Sequence, residues 1–213
     1  MEHCARHRCM IYEGPPSRQL PSLAAVTREK LQENYRCLYL NSPPMVAGMR
    51  SYLAAAGVDV AQETKRNSLV LTSEQHHLAS GNEFDVQRMI DALKSGLDLT
   101  LSQGYKGLWA TGDMTWEFGP RNDFSKLLEY EWRLEEFLHS NPEMGGICQY
   151  RADILPRAAM RRGLLAHGRI FVNETLSMIN PQFLHAERFS QQAAENFELD
   201  HFINKLIAQE TLN

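Results

Sequence analysis

Apolar residues fall along this chain in two rhythms. Short stretches with apolar residues on consecutive positions begin at Cys9 (CMIY), Cys37 (CLYL), Leu69 (LVL), Gly107 (GLWA), Gly146 (GICQY) and Arg169 (RIFV). Such runs suit strands covered on both faces, and they predict strands over 9–13, 37–41, 68–72, 107–112, 146–150 and 169–172. Between them apolar residues recur every three or four positions, which predicts helices over 22–34, 44–56, 85–103, 123–139 and 157–166. Parallel neighbours need a crossover, and each helix supplies one. The alternation therefore predicts an α/β fold of three layers, a mostly parallel sheet flanked by helices. Ser42-Pro43-Pro44 puts proline in a first helical turn, and Gly57, Gly104 and Gly168 follow helical stretches.

The rhythm changes after Pro181. Leu199, Phe202, Ile203, Leu206 and Ile207 share one helical face. This predicts a main domain over 1–185 and a C-terminal helical extension over 186–213. The apolar stripe suits packing on the domain, or self-association and partner capture through 190–213.

One polar residue breaks a helical face. In the helix expected over 123–139 the apolar stripe runs Phe124, Leu127, Leu128, Leu134, Leu138, and at about 100° per residue Glu131 falls in its middle. A charge buried there costs several kcal/mol, in order of magnitude, unless it is paired or protonated. A carboxylate hydrogen-bonded to backbone or arginine is the structural expectation, and a ligand contact is the functional one.

The segment CMIYEGPPSRQL has the layout of strand, phosphate-cradling loop and helix. Aligned from Gly14 on G-x-x-x-x-G-K-[ST], the second glycine position holds Gln19, the lysine position Leu20 and the hydroxyl position Pro21. The chemistry of phosphate and magnesium binding is missing at all three, so nucleotide hydrolysis through this loop is not expected.

Composition narrows the class further. The 213 residues are 43% hydrophobic and 23% charged, which is enough to bury one core without disulfides. A formal charge of -4 argues against general nucleic-acid binding, and Arg157, Arg161 and Arg162 read as a solvated face. The first residues, MEHCARHRC, have no apolar leader core, and no run suits a membrane span. Cys4, Cys9, Cys37 and Cys148 follow no framework spacing and read as reduced thiols in a cytoplasmic protein. His3, Cys4, His7 and Cys9 are ligand types, but H-C-x-x-H-x-C fits no common zinc spacing. No metal and no cofactor are expected.

Several segments in order carry a resemblance: HRCMIYE, RCLYLNSPP, GNEFDVQRMIDAL, GLWATGDMTW, LLEYEWRLEEFL, GGICQYRADILP and LLAHGRIFVNETLSMINPQFL. Over about residues 3–185 the chain resembles the MEDS family, the sensory domain of methanogens, methylotrophs and the DcmR regulator. The resemblance implies a KaiC/RecA-like fold related to the P-loop NTPases, with a degraded phosphate loop, and a sensory role in prokaryotic signalling. It departs from the family's G-E-M-x-W in having Gly112-Asp113-Met114-Thr115-Trp116, a carboxylate one methylene shorter. In such a fold Asp113 stands where a metal-binding carboxylate would be; the other expectation is that it caps the following turn.

Ligands of parallel α/β sheets meet the loops at the strands' carboxyl ends. That rule selects Tyr12, Glu13, Ser42, Asp113, Met114, Trp116, Gln149 and Tyr150 as ligand contacts. Glu131, which pairs with Tyr130 in the family motif, and His167 join them; no catalytic constellation is visible. The expected function is a non-enzymatic sensor that binds a small molecule or a partner protein and regulates transcription or signalling. A nucleotide-binding enzyme with an atypical loop and a ligand-free interaction module are the alternatives.

Overall fold

The computed structural model describes residues 6–79, 83–119 and 124–172, and the backbone of 176–179. Seven strands form one sheet: β1 His7–Tyr12, β2 Tyr35–Leu40, β3 Leu69–Thr72, β4 Gly107–Asp113, β5 Met144–Arg151, β6 Arg169–Val172 and β7 Leu176–Ile179. Their order is β3-β2-β4-β5-β1-β6-β7. The first six in that order run parallel, and β7 lies antiparallel on β6. The helices are α1 Leu20–Gln32, α2 Pro43–Ala55, α3 Val60–Lys65, α4 Val86–Ser102, α5 Met114–Glu117, α6 Leu127–Ser140 and α7 Arg157–Ala166.

The consecutive apolar runs become central strands because both faces are covered. In β1, Cys9 and Ile11 enter the core beneath α4, α6 and α7, while Met10 enters the core beneath α1 and α2. Local chemistry fixes the helix starts. Asp85 accepts a hydrogen bond from the Arg88 amide at 3.0 Å and opens α4, whose buried stripe is Val86, Met89, Leu93, Leu97, Thr100. Gly57 and Gly104 take positive φ after helices, as their positions suggested.

The expected three-layer α/β architecture is the one observed. The differences lie at the edges of elements. β1 begins at His7 rather than 9, and α1 begins at Leu20 with Pro21 in its first turn. Helix α6 begins at Leu127 after a 3-10 turn over Phe124–Lys126. Two short helices, α3 and α5, lack the length for a periodic signal, and the edge strand β7 was not expected. The C-terminal extension over 186–213 lies outside the described residues.

Candidate functional site

The residues selected from sequence separate onto the two faces of the sheet. At the carboxyl ends of β1, β4 and β5, the Tyr12 hydroxyl donates to Asp113 Oδ2 at 2.7 Å. Asp113 Oδ1 accepts from the amides of Thr115 at 2.8 Å and Trp116 at 3.3 Å. It therefore caps α5, the structural role expected for it. Burial raises the Asp113 pKa, while Tyr12 and the backbone donors oppose that rise. Burial and the neighbouring carboxylate push the Tyr12 phenol upward. Gln149 stands opposite Asp113 in register, fully buried, and among the described residues neither amide atom has a hydrogen-bond partner.

Other selected residues do not join this group. Glu13 is exposed, and Ser42 and Trp116 are half-buried. The Ser42 amide donates to Asn41 Oδ1 at 2.8 Å, and the Trp116 carbonyl accepts from Gln75 at 2.7 Å. Met114 packs in the core on the opposite face.

That opposite face holds a denser polar group. Glu131 of α6 is fully buried, as its helical phase implied. Among the described residues its partners are neither backbone nor arginine. Tyr150 donates its hydroxyl to Glu131 Oε1. Glu131 Oε2 lies 3.3 Å from His7 Nε2 and 3.5 Å from His167 Nε2. Cys148 Sγ is 3.8 Å from His7 Nε2, and the two imidazole centroids are 3.9 Å apart. Around this group, His7 Nδ1 bonds Glu135 Oε2 at 2.8 Å, and His167 Nδ1 donates to the Gly163 carbonyl at 2.6 Å.

The two histidines differ electrostatically. Burial works against a charge on His7, yet Glu131 and Glu135 outweigh it and raise its pKa to about 9. Burial, then the charge on His7, lowers His167 to about 4. Burial also opposes a charge on Glu131, but His167, His7 and Tyr150 together hold its pKa below the ordinary value. At neutral pH a charged His7 thus faces an ionised Glu131, with His167 neutral beside them. His7 was not selected as part of this group because Glu131, Glu135 and Cys148 lie more than a hundred residues from it in sequence, and Cys148 reads as a strand residue; Glu131, Tyr150 and His167 of the cluster were selected.

A cavity of about 30 Å³ adjoins the cluster, between α4, β4, α6 and β5. Its walls are mostly apolar, with Leu93, Ala110, Met114 and Leu134 among them, and His7 and Cys148 also line it. Glu117 of α5 also lines it. That carboxyl is 1% exposed, and its Oε2 has no hydrogen-bond partner among the described residues. Burial, with Asp113 and Glu131 nearby, raises its pKa well above the ordinary value. Sequence analysis did not select Glu117, since a four-residue helix leaves no periodic stripe against which to judge it.

The sequence profile of the MEDS family, described as the methanogen/methylotroph, DcmR sensory domain, matches residues 6–168. No curated protein sequence matches significantly. Among solved structures, the fold is similar to the flagellar accessory protein FlaH from Methanocaldococcus jannaschii, with a TM-score of 0.52 at 10% identity. The alignment covers 78% of this chain and 71% of that one. At that identity the likeness shows the fold alone.

Proposed function

This chain belongs to the MEDS family of methanogen/methylotroph DcmR sensory domains, and from that premise we propose that it is a non-enzymatic sensor whose input is a very small molecule taken into the cavity beside Glu117. The observation that carries this reading is a buried carboxyl, its pKa raised well above the ordinary value, with an unsatisfied oxygen on the wall of a mostly apolar cavity. An unmet buried polar group costs about 1–3 kcal/mol, which a ligand hydroxyl would recover. The cavity volume of about 30 Å³ is roughly twice the 10–15 Å³ that one water needs. It suits an occupant of a few non-hydrogen atoms, far below the roughly 300 Å³ at which drug-sized pockets begin. The family's association with methanogens and methylotrophs agrees with a one-carbon compound such as an alcohol.

Nucleotide chemistry is the weaker reading. Leu20 occupies the position of a phosphate-binding lysine and is buried in the core beneath α1 and α2. It packs so closely on Gly48 of α2 that a Cβ there would lie 2.7 Å from Leu20 Cδ1. This packing supports a phosphate loop that has lost its function, retained as a connection between β1 and α1. Output passes to a partner protein or a second copy through the apolar stripe of residues 190–213.

The methionines supply the test. Met89, Met114 and Met144 line the cavity, whereas Met10, Met45 and Met49 lie beneath α1 and α2 on the other face. Titration of methyl-labelled chain with methanol is expected to shift the first three saturably and leave the second three in place. Uniform drift of all six, or no shift, would overturn the reading.

A further inference from the structure

We infer that His7, Glu131, Cys148 and His167 form a tetrahedral site for one divalent transition-metal ion of the zinc class. One ligand atom from each residue lies within 4.8 Å of every other, and all four residues are buried. Two nitrogen or oxygen ligands about 2.1 Å from one tetrahedral ion sit about 3.4 Å apart, and a thiolate–imidazole pair about 3.6 Å apart. The observed separations are 3.3 Å for His7 to Glu131, 3.5 Å for His167 to Glu131 and 3.8 Å for Cys148 to His7. Three of the six donor–donor separations thus match the edges of a coordination tetrahedron, and the other three are at most 4.8 Å.

The surroundings aim these donors inward. A ligating histidine usually gives its other ring N–H to a carboxylate or a carbonyl, which fixes the ligating nitrogen. Both histidines have this arrangement. His7 Nδ1 is held by Glu135 and His167 Nδ1 by the Gly163 carbonyl, so each Nε2 faces the cluster. Tyr150 occupies Glu131 Oε1 and leaves Oε2 toward the two imidazoles.

Charge also fits. One carboxylate and one thiolate balance a divalent ion, so a buried site with two neutral imidazoles carries no net charge, and the desolvation cost of an unbalanced ion is avoided. Binding the ion would release two protons, one from the Cys148 thiol and one from His7 Nε2. A thiolate with two imidazoles selects zinc-like ions over magnesium or calcium, which prefer oxygen. The four donors come from β1, α6, β5 and the turn after α7, so an ion here would clamp both layers of this half of the fold. His7 and Cys148 also border the cavity, but the metal inference stands on its own geometry and does not depend on the ligand reading.

Cobalt(II) tests it directly. The full chain, stripped with chelator and confirmed folded by circular dichroism, is titrated with Co²⁺ alone. The expected result is one equivalent bound, with the strong visible absorption of tetrahedral cobalt, a near-ultraviolet thiolate charge-transfer band, and loss of both on adding Zn²⁺. Cys148→Ser should abolish the charge-transfer band. Glu135→Gln, which alters only the outer partner of His7, should weaken binding about 10-fold. Cys37→Ser, on the other face, should change nothing. A folded wild-type chain that shows no tetrahedral spectrum, or a Cys148→Ser chain that keeps the charge-transfer band, would overturn the inference. The cavity methionines respond to methanol or fail to do so whatever the cobalt result, so the two readings fail separately.

Discussion

Glu117 shows how one side chain can hold a cost in reserve. Its carboxyl sits directly over Gly112, where a Cβ would overlap Oε1. Because burial raises its pKa in the folded state, folding favours the protonated form. Its contribution is intact below the ordinary glutamate value of 4.5 and is lost as pH climbs from there toward the folded value. Glu117→Gln keeps the shape and removes the proton. Urea unfolding should therefore show the variant matching wild type below pH 4.5 and exceeding it at pH 7. A constant difference across that range would contradict the assignment. Sequence made the burial of Glu131 legible, since its phase in an amphipathic helix is a local property. It left Glu117 and His7 illegible. Glu117 lies in a helix of one turn, and His7 lies two residues upstream of the apolar run that defined its strand.

Among the elements, α7 and β5 meet through a glycine. Gly163 of α7 faces the Tyr150 ring, and a Cβ there would lie 2.5 Å from ring carbons. The same residue's carbonyl accepts the hydrogen bond from His167. Gly163→Ala should push helix from sheet and cost about 1–3 kcal/mol. Thermal unfolding should record this as a fall of at least about 2–4 °C in Tm for a chain of this size. An unchanged Tm would mean that the helix has room the structure does not show. The period of the apolar pattern was enough to find the six parallel strands and five of the helices. The short α3 and α5 carried too little pattern, and β7 is a four-residue edge strand paired, among the described residues, with β6 alone. The rule that ligands meet the carboxyl ends of strands found Tyr12, Asp113 and Gln149, because their positions follow from the strand ends alone. It passed over His7 and Cys148, whose side chains meet beneath the sheet rather than at its rim.

At the scale of the molecule, the two faces of one sheet hold different chemistry. The face under α1 and α2 has the buried Leu20, packed against Gly48 of α2, and the pair Tyr12 and Asp113 at the strand ends. The face under α4, α6 and α7 has the cavity and the four clustered donors. No helix among the described residues is long and apolar enough to cross a membrane. Deleting residues 190–213 should leave far-UV circular dichroism of the domain and the methanol response intact while lowering the solution mass or partner capture, as read by light scattering. Unchanged mass together with unchanged capture would remove the proposed output route. This difference between the faces could not be read from the sequence, because a loop's layout is local whereas the cavity exists only where several elements distant in sequence meet.

The central claim is that a very small molecule occupies the cavity beside Glu117. The most direct measurement compares the methionine methyl spectra of wild type and Ala110→Val during the same methanol titration. Ala110 lines the cavity, and the two added methyl groups would fill it. Saturable shifts of Met89, Met114 and Met144 in wild type, absent from a folded Ala110→Val chain, are the predicted result. Equal shifts in both chains would contradict it.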